Sequence, residues 1–217
     1  MHSVSRRLVG ATCWRLLIAT SGALGVVLAA IQYDVWWTAL SQLASLSVVI
    51  GYLWLAAYPF LGRRVTEPPS PWLRGCLATQ MVLVSLAFLA MPNGNLTDPY
   101  SIFEHVLTPA LVVADFLLVG ANQAGVRWWH PFTWLLPPLV YLGYYLGWDL
   151  RVYAALDAAD GPTFLSRLAV LAVLVLGAGF CLYAVGRRAR ATAMTGVAGW
   201  GGERRFPAPA PVPARRR

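Results

Sequence analysis

Two residues in the apolar stretches of this chain are of the types that covalent catalysis uses. They are a hydroxyl at Ser41, in WWTALSQLASL, and an imidazole at His105, in EHVLTPALVVADFLL. A neutral imidazole can take the proton of a hydroxyl as its oxygen attacks a carbonyl carbon, which is the minimal nucleophile and base of covalent catalysis. Thr38 offers a second hydroxyl one helical turn before Ser41, on much the same face. Two further ionisable residues, Arg15 and Asp115, also lie inside apolar runs. Opposite charges at one depth relieve each other's desolvation. An Arg15–Asp115 contact is therefore expected, with a structural role; a proton or ion relay is the alternative. Each polar residue has a plain reading beside the chemical one. A serine in a membrane helix commonly packs helices closely or bonds its own backbone, and a lone histidine near an interface is often a satisfied polar residue. Glu104 points about 100° away from His105 on a helix and is expected at the membrane interface, snorkelling or facing lipid.

These residues need elements to hold them, and composition says which. The chain is 58% hydrophobic and 12% charged, with a mean hydropathy of +0.59. Soluble domains are about a quarter charged. The apolar residues gather into runs of about 20, the length that crosses about 30 Å of hydrocarbon. The expectation is an all-α polytopic membrane protein with six transmembrane helices, at about 8–30, 36–61, 72–91, 102–121, 132–147 and 163–186. Residues 1–7 form an N-terminal extension, 8–190 the helical domain, and 191–217 a Gly/Pro/Ala/Arg tail expected to be disordered. The basic start resembles a signal peptide, but its apolar run continues to about residue 30, so a retained first helix is expected.

All 17 basic residues are arginine, and their placement sets the orientation. Arg6, Arg7, Arg63, Arg64, Arg74, Arg127, Arg187, Arg188 and Arg190 fall on one side of six crossings. Asp34, Asp98, Asp149, Asp157 and Asp160 fall on the other, against Arg151. That asymmetry puts both termini in the cytoplasm and argues against nucleic acid as the partner of the basic residues; the bilayer and its lipids are the expected partners. Paired tryptophans at Trp36–Trp37 and Trp128–Trp129 mark the interfaces. Cys13, Cys76 and Cys181 fit no metal spacing and read as buried free thiols; no cofactor or metal site is expected. No internal repeat or broken helix pair speaks for a transporter.

Counted from the outer side, Ser41 lies about five residues into the second helix and His105 about three into the fourth, so their depths differ by only a few ångström. Arg15 and Asp115 each lie roughly 10 Å in from the inner side. Pro109 removes the helical donor for the carbonyl of His105, and a kink there would help open a pocket beside the imidazole.

Over about residues 10–187 the pattern resembles the androgen-induced-gene family of six-helix membrane proteins, whose bacterial relatives share the core. Animal members hydrolyse fatty acid esters of hydroxy fatty acids. In that family a Thr on the second helix and a His on the fourth form the proposed catalytic pair. Ser41 stands at the Thr position; His105, Pro109 and Asp115 match a His, a Pro four later and an acid ten later; Arg15 resembles an Arg on the first helix. The resemblance implies a lipid-ester hydrolase in the cell membrane, with Ser41 as nucleophile and His105 as base, then acid. The departures are Ser41 for Thr, Ser45 where relatives often carry Asn, and a GWDLRVYAALD loop two residues longer and without their prolines. A non-catalytic lipid-binding or scaffold protein is the alternative, and a small transporter a third.

Overall fold

The computed structural model describes residues 6–61, 65–90, 95–153 and 156–200. The N-terminal five residues, the loop arginines Arg63 and Arg64, and residues 201–217 of the expected tail lie outside the described residues. Among those described the chain is helical throughout, without strand. The elements are α1 (Arg6–Gln32), α2 (Leu40–Ala57), α3 (Trp72–Leu89), α4 (Pro99–Val119), α5 (His130–Thr133), α6 (Leu136–Gly147) and α7 (Gly161–Trp200).

Five helices are long and apolar enough to cross a membrane: α1, α2 with the 3-10 turn that ends it at Phe60, α3, α4, and α7 as far as Ala189. The stretch expected as a fifth single helix at 132–147 is instead two pieces, α5 and α6. The cause is proline. Pro137 and Pro138 cannot donate to the carbonyls of Thr133 and Trp134, so the helix is interrupted there. The second helix also starts later than expected. Trp36–Thr38 form a 3-10 turn and Ala39 is extended, with α2 beginning at Leu40. At the other end of the chain, α7 continues to Trp200, past position 191 where the tail was expected to begin. No proline falls between 163 and 200 to stop it.

The outer surface of the bundle is apolar. Leu17, Val27 and Ile31 of α1 are exposed, as are Val170 and Val173 of α7. Contiguous apolar surface on this scale is not found on soluble monomers, and it fits lipid as the surrounding medium. Cys13 and Cys181 belong to this surface, so of the three thiols expected inside only Cys76 is buried.

Inside, α1 buries Arg15, Ile18, Gly22, Gly25 and Ala29, spaced alternately three and four apart. This stripe packs on Ser41, Ser45, Val48, Tyr52 and Leu55 of α2, which has the same spacing. Glycine sets how near the two helices come. A Cβ on Gly22 would lie 3.2 Å from the Ser45 carbonyl oxygen, so the backbones approach as small-residue membrane interfaces do. The core continues through Met81 of α3, Val112 and Phe116 of α4, and Trp134 between α5 and α6.

At the end of the bundle where α1 and α3 begin, three buried charges and the half-buried Glu67 form one network. The expected Arg15–Asp115 pair is corrected here: each residue has a different direct partner. Arg15 Nη2 pairs with Glu67 at 3.2 Å, Arg74 Nη1 reaches the other Glu67 oxygen at 3.6 Å, and Arg74 Nε pairs with Asp115 at 2.8 Å. Arg15 and Asp115 are thus linked through Glu67 and Arg74. Their depths were matched, but Arg74 and the loop carboxylate lie between them. The Asp115 carboxylate also accepts from Tyr52 at 3.0 Å, and its backbone oxygen accepts from Arg74 Nη2. Arg74 Nη1 donates to Asn122 at 2.8 Å, and Arg15 Nη1 donates to the Leu55 carbonyl at 3.0 Å. The network ties α1, α2, α3, α4 and the loop around Glu67 together.

Candidate active site

The opposite end of the bundle holds Ser41 and His105. Ser41 is the second residue of α2 and is 7% exposed. Side chains and neighbouring loops hold the helix start in place. The Tyr153 hydroxyl accepts the Leu40 N–H at 2.9 Å, and the Tyr141 hydroxyl donates to the Thr38 carbonyl at 2.9 Å. Tyr153 lies in the loop before α7, where burial pushes its phenol above the ordinary value and keeps it neutral. Thr38, the alternative nucleophile, sits in the 3-10 turn rather than on the helix. Its hydroxyl donates to the Val35 carbonyl at 2.8 Å.

His105 lies in a π-helical stretch, Phe103–Leu107, with Thr108 N–H bonded to the Phe103 carbonyl. Pro109 accounts for this. It supplies no N–H to the His105 carbonyl, and the turn widens; Ser85 Oγ of α3 donates to that carbonyl instead, at 2.5 Å. The imidazole stacks on Phe88 with ring centres 3.8 Å apart and planes 7° from parallel. His105 Nδ1 is buried without a hydrogen-bond partner among the described residues. Ser85→Ala leaves a buried carbonyl without a donor and is expected to cost about 1–3 kcal/mol in a melting experiment in detergent. An unchanged melting curve would remove this bond from the account.

Glu104 departs from expectation. It is fully buried, not interfacial. Gln42 Nε2 donates to its Oε2 at 3.1 Å, and its Oε1 is buried without a hydrogen-bond partner among the described residues. Gly25 of α1 leaves room for it: a Cβ there would lie 3.0 Å from Glu104 Cγ. Sequence reasoning weighed Glu104 against His105 alone and so missed a longer pattern. Ser101, Glu104, Thr108, Val112 and Asp115 recur at steps of three and four, and all five are buried, with His105 beside them.

Ser41, Gln42, Thr38 and His105 line one cavity of about 1000 Å³. Its far walls are apolar side chains of α6 and α7, such as Leu139, Leu142, Leu171 and Val175. A second cavity of about 590 Å³ adjoins it between α2, α3 and α6, and shares Leu40, Val84, Pro138 and Tyr141 with it. A large apolar chamber with a few polar groups gathered on one wall is the usual form of a small-molecule site. Among the described residues no group of three or more His, Cys, Asp or Glu is placed to hold a metal ion. Comparison of the chain with family models, with curated proteins and with solved structures finds no match.

Proposed function

We propose that the protein is an integral membrane hydrolase of lipid esters, with Ser41 as nucleophile and His105 in the proton transfers. One observation carries the reading: a serine and a histidine line the same large, mostly apolar cavity. The apolar walls suit acyl chains. The adjoining cavity beside α6 suits a substrate arriving sideways from lipid. The resemblance to the androgen-induced-gene family supports the same chemistry from WWTALSQLASL and EHVLTPALVVADFLL.

In the bilayer, α5 and α6 form one interrupted crossing between α4 and α7. Residues 130–147 span about 27 Å at 1.5 Å per residue, close to the hydrocarbon thickness. Six crossings then put both termini on the arginine-rich side, the cytoplasm, and the Ser41 cavity in the outer half of the cell membrane.

The test uses purified protein in micelles, a fluorophosphonate probe and a chromogenic ester. Wild type is expected to label and to turn over. Ser41→Ala is expected to lose both, and His105→Ala to lose turnover, with folding unchanged. Labelling that survives Ser41→Ala would remove the assignment, and so would an unlabelled wild type. Retained lipid binding in an unlabelled wild type would favour a lipid-binding or scaffold role.

A further inference from the structure

Because α2 begins at Leu40, the N–H groups of its first turn have no carbonyl one turn earlier in the helix to bond. The Leu40 N–H is bonded instead to the Tyr153 hydroxyl, at 2.9 Å. Leu40 is next to Ser41, so this phenol oxygen sits on the amide one residue before the proposed nucleophile. Leu40, Ser41 and Tyr153 all line the cavity of about 1000 Å³, and Tyr153 is only half-buried.

The phenol is held in place from α6. Its ring stacks on that of Tyr145, with centres 6.2 Å apart and planes 26° from parallel. The Tyr145 hydroxyl donates to the carbonyl of Tyr153 at 3.3 Å and to that of Leu156 at 3.1 Å, which pins the loop before α7. The plain role of Tyr153 is to cap α2, and a cap needs only the oxygen. A hydroxyl accepts and donates at once. In the bond from Leu40 the phenol oxygen accepts, so its own proton is left to give, on a side chain that lines the cavity. Ester cleavage at Ser41 calls for such a donor. Attack puts negative charge on the carbonyl oxygen, and a tyrosine hydroxyl fixed in advance is one of the groups that stabilise it.

We propose that Tyr153 is the oxyanion donor for the reaction at Ser41; this rests on the hydrolase reading above. As Ser41 Oγ bonds to the ester carbonyl carbon, its proton passes to His105 and the carbonyl electron pair moves onto oxygen. Tyr153 donates a hydrogen bond to that oxygen and keeps its proton. The pair returns as the bond to the alcohol oxygen breaks, and the departing alkoxide takes the proton from His105. Water then bonds to the acyl carbon and gives a proton to His105, which raises the same oxyanion against the same donor. The pair returns once more, Ser41 Oγ leaves with that proton, and the carboxylic acid is released.

The experiment compares wild type, Tyr153→Phe and a protein carrying O-methyltyrosine at position 153, all in micelles. O-Methyltyrosine keeps the oxygen that accepts from Leu40 and lacks the proton. Turnover of a chromogenic ester is measured beside the affinity for two ligands of one chain length. An alkyl trifluoromethyl ketone forms an oxyanion on a serine; an alkyl ether does not. Both variants are expected to lose about 100-fold in kcat, and the ketone to bind more weakly by about the same factor. KM and the ether affinity are expected to stay within about threefold of wild type. A kcat within about threefold of wild type in the O-methyltyrosine protein leaves Tyr153 a cap alone; it overturns the proposal and leaves the hydrolase standing. Ether binding that falls as far as ketone binding overturns it too, since the cavity and not the oxyanion is then disturbed. If Tyr153→Phe, which loses the cap, does not fold, the O-methyltyrosine protein alone decides. A wild type that a fluorophosphonate does not label, or a Ser41→Ala protein that it does, overturns both readings.

Discussion

Arg74→Ala is expected to destabilise the protein by about 3–5 kcal/mol, because it strands a buried carboxylate. Arg74 is 1% exposed and Asp115 fully buried. Truncating the arginine removes the 2.8 Å ion pair, the bond to the Asp115 backbone oxygen and the bond to Asn122 in one step. It also leaves Glu67 with Arg15 as its one cationic partner among the described residues. The guanidinium further lies over the Phe116 ring, 5.7 Å from its centre, so packing is lost with charge. Melting followed by tryptophan fluorescence in micelles reads the effect. Asp115→Asn in the Arg74→Ala background should recover part of the loss, since the uncompensated charge is then gone. A folded Arg74→Ala protein within about 0.5 kcal/mol of wild type would show that the network contributes nothing measurable.

The sequence makes a buried Arg–Asp network legible and hides its wiring. Arg15 and Asp115 stand out because charge within an apolar run is rare, and their depths follow from counting residues. Their true partners do not stand out. Glu67 is a loop residue beside two prolines, and Arg74 sits at a helix start where the positive-inside rule already explains it. One signal could have found part of the wiring. A proline four residues after a helical carbonyl strips that carbonyl of its donor. Pro59 does this to Leu55, and Arg15 Nη1 supplies the missing bond; Pro109 does it to His105, and Ser85 supplies it. Pro137 and Pro138 do it twice in succession, and there the helix breaks into α5 and α6. The same rule thus foretells a side-chain substitute where one is in reach and an interruption where two carbonyls are stripped together.

The candidate site was legible in its residue types and less so in its geometry. Ser41 and His105 line one cavity because both lie near the start of helices that enter from the same end. The position of Ser41 in the first turn depended on Ala39 being extended, and no local propensity in TALSQ marks that. Glu104 was misread because an adjacent pair was compared instead of a stripe. Periods of three and four across 101–115 place it inward with His105 and Asp115. Tyr153 was out of reach of any pattern, being a loop residue that meets the start of α2 from 113 positions away in the chain.

The interrupted stretch α5–α6 carries its own large prediction, because a buried indole helps dock it on α3. Trp134 is fully buried, and its Nε1 donates to the Trp72 carbonyl at 3.1 Å. Two glycines make the space. A Cβ on Gly75 of α3 would fall within the indole, and one on Gly179 of α7 would lie 3.3 Å from its Cε3. At an open helical position, Gly→Ala gains about 1 kcal/mol from propensity alone. At Gly75 the sign should reverse. The indole must move or the helices part, and overpacking of this kind costs about 1–3 kcal/mol. Trp134→Ala should cost about 3–5 kcal/mol, leaving a cavity where α3, α5 and α7 meet. In the Trp134→Ala background the ring is gone, so adding Gly75→Ala should become neutral or stabilising by up to about 1 kcal/mol. The change of sign between the two backgrounds isolates the contact from any general effect of the substitutions. A Gly75→Ala protein that melts above wild type would show that Trp134 does not occupy this gap. If it does, the proline-broken segment is held to α3 by the shape of this indole together with the bond from Trp72 Nε1 to the Thr133 hydroxyl at 2.8 Å, and Tyr141 of α6, which bonds the Thr38 carbonyl, inherits its position from that dock.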